Sequence, residues 1–211
     1  SELFLYLPTT NYEDFKLTSE FSRYAYSYGT SIYTNKLMSG GYIPYLSFSF
    51  MTLDKNLDKT FELLKELMFE TDFSDIDRLR NFAEQEYNSI KQSVNESPSF
   101  FAESILNTKI MPHAKYDFYI NGIDYMKFLK GIILMNDDEL LNLLTECDEL
   151  LKSLYNRSGM VCEIISNFKT MSDIKNRVLI LSKDFKNEKI ESQNYDEKIK
   201  NFNDKIAIEC E

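Results

Sequence analysis

Hydrophobic and polar positions along this chain follow two periods, and each change of period marks a new element. Leu17, Phe21, Tyr24 and Tyr28 are spaced four, three and four apart, which lines one face of a helix. Gly29 follows and is suited to a left-handed C-cap that stops it. Ser31-Ile32-Tyr33-Thr34 then favours a short strand, and Ser39-Gly40-Gly41 supplies a loose turn. In the returning arm Leu46, Phe48 and Phe50 alternate with Ser47, Ser49 and Met51. That alternation predicts a half-buried antiparallel strand with its aromatic groups on one face.

From Leu57 the period becomes 3.6, with Leu57, Phe61, Leu64 and Met68 on one stripe and Asp54 placed as an N-cap. Ser74-Asp75-Ile76-Asp77 is similar to a capping box, and Ile76, Leu79, Ala83, Tyr87, Ile90 and Val94 carry the longest helix. Ser97-Pro98 restarts the helical pattern and Pro112 closes it. Tyr125, Phe128 and Leu129 mark a short helix, and Leu140, Leu143, Cys147, Leu150 and Leu154 a long one. Asn156-Arg157-Ser158-Gly159 breaks the pattern, Met160 to Ser166 reads as a strand, and Ile174, Val178, Leu181 and Phe185 mark a last helix. Lys186 to Asp204 is mostly Lys, Glu, Asp and Asn, while Ile206 to Cys210 alternates again.

The expected fold class is α+β and helix-rich, an antiparallel sheet with helices packed on one face. The expected organisation is a domain over 1–186, a charged linker over 187–205, and over 206–211 a strand that completes the sheet or starts another domain.

Composition narrows the function. With 211 residues, 43% of them hydrophobic, the chain can bury one good core or two small ones. A formal net charge of -10 repels polyanions and excludes nucleic acid as a natural partner. It favours cationic ligands such as basic peptides, provided the carboxylates share a cavity. Cys147, Cys162 and Cys210 form no C-x-x-C motif and read as reduced thiols, which favours an intracellular reducing compartment, cytosol or organelle matrix. No apolar run approaches the roughly 18 residues of a membrane span, and Ser1-Glu2-Leu3-Phe4 lacks the basic start of a signal peptide.

Candidate chemistry is sparse. The one histidine, His113, follows Pro112 in an expected loop and reads as an ordinary surface or packed side chain. Glu70, Asp72, Asp75 and Asp77 resemble a calcium cluster, but the loop lacks the glycine and terminal glutamate of an EF-hand, and helix capping accounts for them. Gly40-Gly41 has no phosphate-loop context. The Asn-x-Ser triplets at Asn95 and Asn156 read as chance matches to a glycosylation acceptor, and Leu140 to Leu154 is too short for a coiled-coil seam. Tyrosines gather around the expected hairpin, and Tyr33, Tyr42 and Tyr45 are the candidates for contact with an extended peptide, with core packing the competing reading. No catalytic, cofactor-binding or metal-binding residue is assigned.

Four stretches in this order, Tyr28-Gly29-Thr30-Ser31-Ile32, Thr71 to Arg78, Gly122 to Leu129 and Asn156 to Val161, make the chain resemble the insulinase-like, or pitrilysin-like, zinc peptidases. The likeness is to the third of four repeats in the presequence protease and falcilysin subfamily, with that repeat's first strand expected upstream of Ser1. The resemblance implies a non-catalytic repeat, with zinc held elsewhere, in the catalytic domain of the parent, by an inverted His-x-x-Glu-His motif. One histidine cannot supply that pair. It also implies other domains of the same parent chain as partners, and a clamshell chamber that encloses short unstructured peptides, basic ones among them. The alternative it leaves open is a structural or assembly subunit of the same fold without peptidase activity.

Overall fold

The computed structural model of the protein describes residues 2–13, 16–36 and 42–189. Helix α1 (Lys16–Tyr24) runs directly into strand β1 (Ala25–Lys36), which pairs with β2 (Tyr42–Thr52) in a two-stranded sheet. Seven helices follow: α2 (Leu57–Phe69), α3 (Ile76–Glu96), α4 (Pro98–Thr108), α5 (Pro112–Asn121), α6 (Ile123–Leu134), α7 (Asp137–Leu154) and α8 (Phe168–Leu181). The chain is therefore helix-rich α+β, as its periodicity predicts. The linker and terminal strand expected over 187–205 and 206–211 lie almost wholly outside the described residues.

Two compact units divide the chain. The first takes the base of the hairpin, α1, α2, α7, α8 and the segments beside them; the second takes the hairpin tip and nearly all of α3, with α4, α5 and α6.

In the first unit, Leu17 and Phe21 of α1 bury against Leu63 and Leu67 of α2, with Tyr24, Tyr28 and Phe48 packed around them. The spacing that predicted one helix from Leu17 to Tyr28 is produced differently. The helix stops at Tyr24, and Tyr28 reaches the same core from β1, its ring stacked on Phe21 with centroids 4.8 Å apart and its hydroxyl donating to the Thr18 carbonyl at 3.0 Å. Gly29 is correspondingly a mid-strand residue with no left-handed backbone, not a C-cap. Phe50 meets Phe61 edge-on at 5.3 Å, and Leu46, Phe48 and Phe50 are half-buried, as the alternation of β2 predicts. Asp54 caps nothing in α2. It accepts instead from Asn167 Nδ2 at 3.0 Å and Thr170 Oγ1 at 2.8 Å, tying the start of α8 to the turn before α2. Arg177 adds an ion pair to Asp58.

The break at Asn156 is a hydrogen-bonded knot. Its buried carboxamide donates to the Glu188 carbonyl at 3.0 Å and accepts from the Ser158 and Glu188 amides at 3.1 and 3.3 Å. The main chain closes a parallel bridge to Lys186, with Lys186 N–H donating to Tyr155 at 3.0 Å and Arg157 N–H to Lys186 at 2.8 Å. This lays Phe185 flat on Tyr155, centroids 5.3 Å apart, with Phe69 the same distance from Tyr155. Burial pushes the Tyr155 phenol above its usual range.

Residues 160–166 correct the expectation of a strand: the backbone has no ladder partner among the described residues and forms no strand. The stripe on α7 is also shifted. Leu140, Leu144 and Leu151 are its buried positions, while Leu150 and Leu154 are exposed.

The second unit is built on Val94, Phe101, Phe118 and Ile123, with Ile90, Ile105 and Met126 packed against them. Pro112 opens α5 instead of only closing the helix before it, because a proline in a first helical turn leaves no intrahelical bond unmade. Gly122 is the single residue between α5 and α6. Its N–H donates to the Phe118 carbonyl at 2.8 Å, and an added Cβ would lie 2.4 Å from that same oxygen. Arg80 donates to the carbonyls of Ile133 and Met135, both at 3.1 Å, and so closes the C-terminal end of α6.

Two substitutions test these joints. Gly122→Ala is expected to destabilise the protein by about 2 kcal/mol, because backbone must move to admit the methyl group. Asn156→Ala is expected to cost about 2 kcal/mol or more by stranding buried amides. Urea unfolding of each variant measures both; an unchanged midpoint for either would show that its joint is dispensable.

Candidate peptide interface

The sequence-predicted site residues all fall at the hairpin tip. The inner side of the tip rests on α5, where the Tyr42 ring lies 5.7 Å from that of Tyr116 and Thr34 Oγ1 donates to Asp117 Oδ1 at 3.1 Å. Tyr42 is only 3% exposed, so it serves the core and presents nothing to a ligand. Tyr33 and Tyr45 sit across from each other with centroids 5.9 Å apart, 52% and 48% exposed. The structure thus brings two of the three tyrosines together on an open sheet face and turns the third inward. Ile43 is exposed on the same strand as Tyr45, two residues away, and completes an apolar row. The period-2 pattern of β2 could have located it.

Two phenol rings on a solvent-facing sheet can stack on side chains of an extended peptide and offer hydroxyls to its backbone.

His113 lies in the first turn of α5 and is half-buried, not in the loop its neighbouring proline suggested. Glu70 accepts from Thr10 Oγ1 at 3.0 Å and Asp72 from the Ser74 amide at 2.9 Å, so those two carboxylates serve local structure. Among the described residues no three His, Cys, Asp or Glu side chains converge on a point that could hold a metal. A single histidine in the whole sequence cannot supply the two imidazoles of an inverted His-x-x-Glu-His site.

Residues 7–132 match the family model described as peptidase M-16C associated. The chain belongs to that family. This peptidase-associated chain is 23% identical over 189 residues to Protein HypA of Clostridium perfringens, a match covering 89% of the chain and 19% of that protein. It is 25% identical over 122 residues to the mitochondrial presequence protease of Danio rerio, covering 58% of the chain and 12% of the relative. The mitochondrial presequence protease of Yarrowia lipolytica matches at 25% over 92 residues, 44% of the chain and 9% of its own length. The chain thus spans less than a fifth of the length of the curated relatives it matches.

Charge in the peptidase-associated chain is unevenly placed. Residues 32–47 and 77–136, which carry the tyrosine pair, hold seven acidic and eight basic side chains. The acidic surplus therefore belongs to the rest of the sequence. At the tyrosine pair, apolar contact and backbone hydrogen bonding are the available forces, with net charge contributing little.

Truncation separates the buried tyrosine from the exposed pair. Tyr42→Ala is expected to destabilise by about 3 kcal/mol, whereas Tyr33→Ala and Tyr45→Ala should each stay within about 1 kcal/mol. Thermal melts of the three variants decide it, and equal losses would mean that all three rings are structural.

Proposed function

We propose that this chain is a non-catalytic unit of a large zinc metalloendopeptidase, where it helps wall a closed chamber that admits short unstructured peptides. The observation that carries the reading is the match to a peptidase-associated family by a chain with a single histidine, too few for that family's inverted His-x-x-Glu-His pair. Chemistry then comes from another part of the polypeptide, and this unit contributes surface. Enclosure excludes folded proteins by size. Tyr33 and Tyr45 supply stacking surfaces for an extended chain, and the acidic surplus elsewhere raises the local concentration of basic peptides over a Debye length of about 8 Å in physiological salt.

The test uses the full-length native polypeptide and a fluorogenic, unstructured peptide. Turnover is expected, lost on chelation and restored by zinc. Tyr33→Ala/Tyr45→Ala should raise KM several-fold with kcat nearly unchanged, the signature of lost uniform binding. A full-length protein that cleaves nothing would sink the reading in favour of a scaffold subunit. Chelator-sensitive turnover by the 211-residue chain alone would sink it from the other side.

A further inference from the structure

Asparagine followed by glycine is among the least durable pairs in a polypeptide, and this chain has one, Asn121–Gly122. Glycine has no Cβ to shield its own amide nitrogen. Once deprotonated, that nitrogen can attack the carbonyl carbon of the asparagine side chain. The new C–N bond closes a five-membered succinimide, the bond to the side-chain nitrogen breaks, and ammonia leaves carrying the proton that the glycine amide gave up. Water then opens the ring at either carbonyl, giving aspartate, or isoaspartate with its main chain rerouted through the side-chain carbon. One water enters, one ammonia leaves, and nothing is oxidised or reduced.

The fold sets this pair at the joint between α5 and α6, and the geometry there opposes ring closure. Asn121 is exposed, so water reaches it, but it is the last residue of α5. A helical ψ of about −42° holds the next nitrogen well away from Cβ about the Cα–C bond, whereas the five-membered ring needs the two nearly eclipsed. The nitrogen is also engaged: Gly122 N–H donates to the Phe118 carbonyl at 2.8 Å, so removing its proton costs that bond too. The product, moreover, does not fit back. Isoaspartate adds one main-chain carbon just before Gly122, where a Cβ on the glycine would already lie 2.4 Å from the Phe118 carbonyl oxygen and 2.6 Å from its ring. Phe118 and Ile123, on either side, are buried members of the core of this unit. The same helix carries Tyr116 and Asp117, which hold Tyr42 and Thr34 of the hairpin tip.

We propose that Asn121–Gly122 is a self-modification site, that its conversion to isoaspartate is gated by opening of the α5–α6 joint, and that the conversion loosens the unit bearing the tyrosine pair. The substrate is the chain itself and the co-reactant is water. Sequence makes the pair reactive, and the helix end with its hydrogen bond to Phe118 restrains it, so the rate follows the fraction of time the joint spends open. The event runs one way, because the ammonia is lost and isoaspartate does not return to asparagine. A molecule whose joint opens often is thereby marked permanently, and the mark keeps the joint open. The inference does not depend on the proposed peptidase role.

Peptide mapping of the full-length native polypeptide by mass spectrometry, with isoaspartate told from aspartate by electron-transfer fragmentation, tests it. In mildly alkaline buffer Asn121 is expected to convert at least about tenfold faster in denaturing guanidinium chloride than in the folded protein, with isoaspartate the main product. Phe118→Ala, which removes packing at the joint, should speed conversion in the folded state at least about threefold. Should that variant not fold, the wild type in sub-denaturing guanidinium chloride serves instead: conversion should rise in step with hydrogen exchange of the Gly122 amide. Equal rates in the folded and denatured protein, or conversion in neither, would overturn the proposal. So would folded-state conversion that stays flat while exchange of the Gly122 amide rises. The isoaspartate form, separated chromatographically, should melt at a lower temperature than the unmodified protein, and an unchanged melting temperature would show that the joint accommodates the product.

Discussion

A two-stranded ladder is marginal in water on its own, and within each unit helices pack against the part of β1 and β2 that the unit holds. At the base of the hairpin Phe48 packs on the α1–α2 core and Tyr155, and Phe50 on Phe61, each half-buried. At the tip Tyr42 and Thr34 are held by α5. The packing of Tyr42 and Thr34 on α5 is what leaves Tyr33, Ile43 and Tyr45 exposed, so the candidate interface is a direct product of how the tip is stabilised.

Much of this was legible in the sequence because amphipathic period and turn chemistry act locally. The aromatic alternation of β2, the long helix of Ile76 to Val94 and the helix from Pro98 all follow from neighbouring residues alone. What could not be read depends on contacts distant in sequence. Tyr28 keeps a helical spacing to Phe21 yet arrives from a strand, since packing on a shared core needs only the right distance in space. Asp54 has the chemistry of an N-cap, but two donors from α8 and the residue before it claim its carboxylate. The α7 stripe slipped by one residue because both Leu143 and Leu144, and both Leu150 and Leu151, satisfy the pattern and only tertiary contact chooses between them. For the candidate site, the tyrosine cluster was visible in composition, whereas the inward turn of Tyr42 was not.

The stretch 160–166 is the instructive miss. Its Val and Ile content favours a strand locally, and Met160 and Asn167 at its two ends have extended backbone, yet no strand forms. Strand formation is a property of a pair, however, and sequence reports only one member. A wrong propensity would have shown helix or a collapsed turn here.

The fold therefore presents two surfaces with opposite requirements. At the hairpin tip, half-exposed rings that already touch each other can tolerate water, so contact there can be intermittent. At 160–166 the main chain is unpaired among the described residues and most of the outward side chains are apolar, so solvent exposure is unfavourable on both accounts and steady cover is favoured. Asn156 and Asn167 hold the two ends of 160–166 in place, while the packing of Tyr42 and Thr34 on α5 leaves the tyrosine pair exposed.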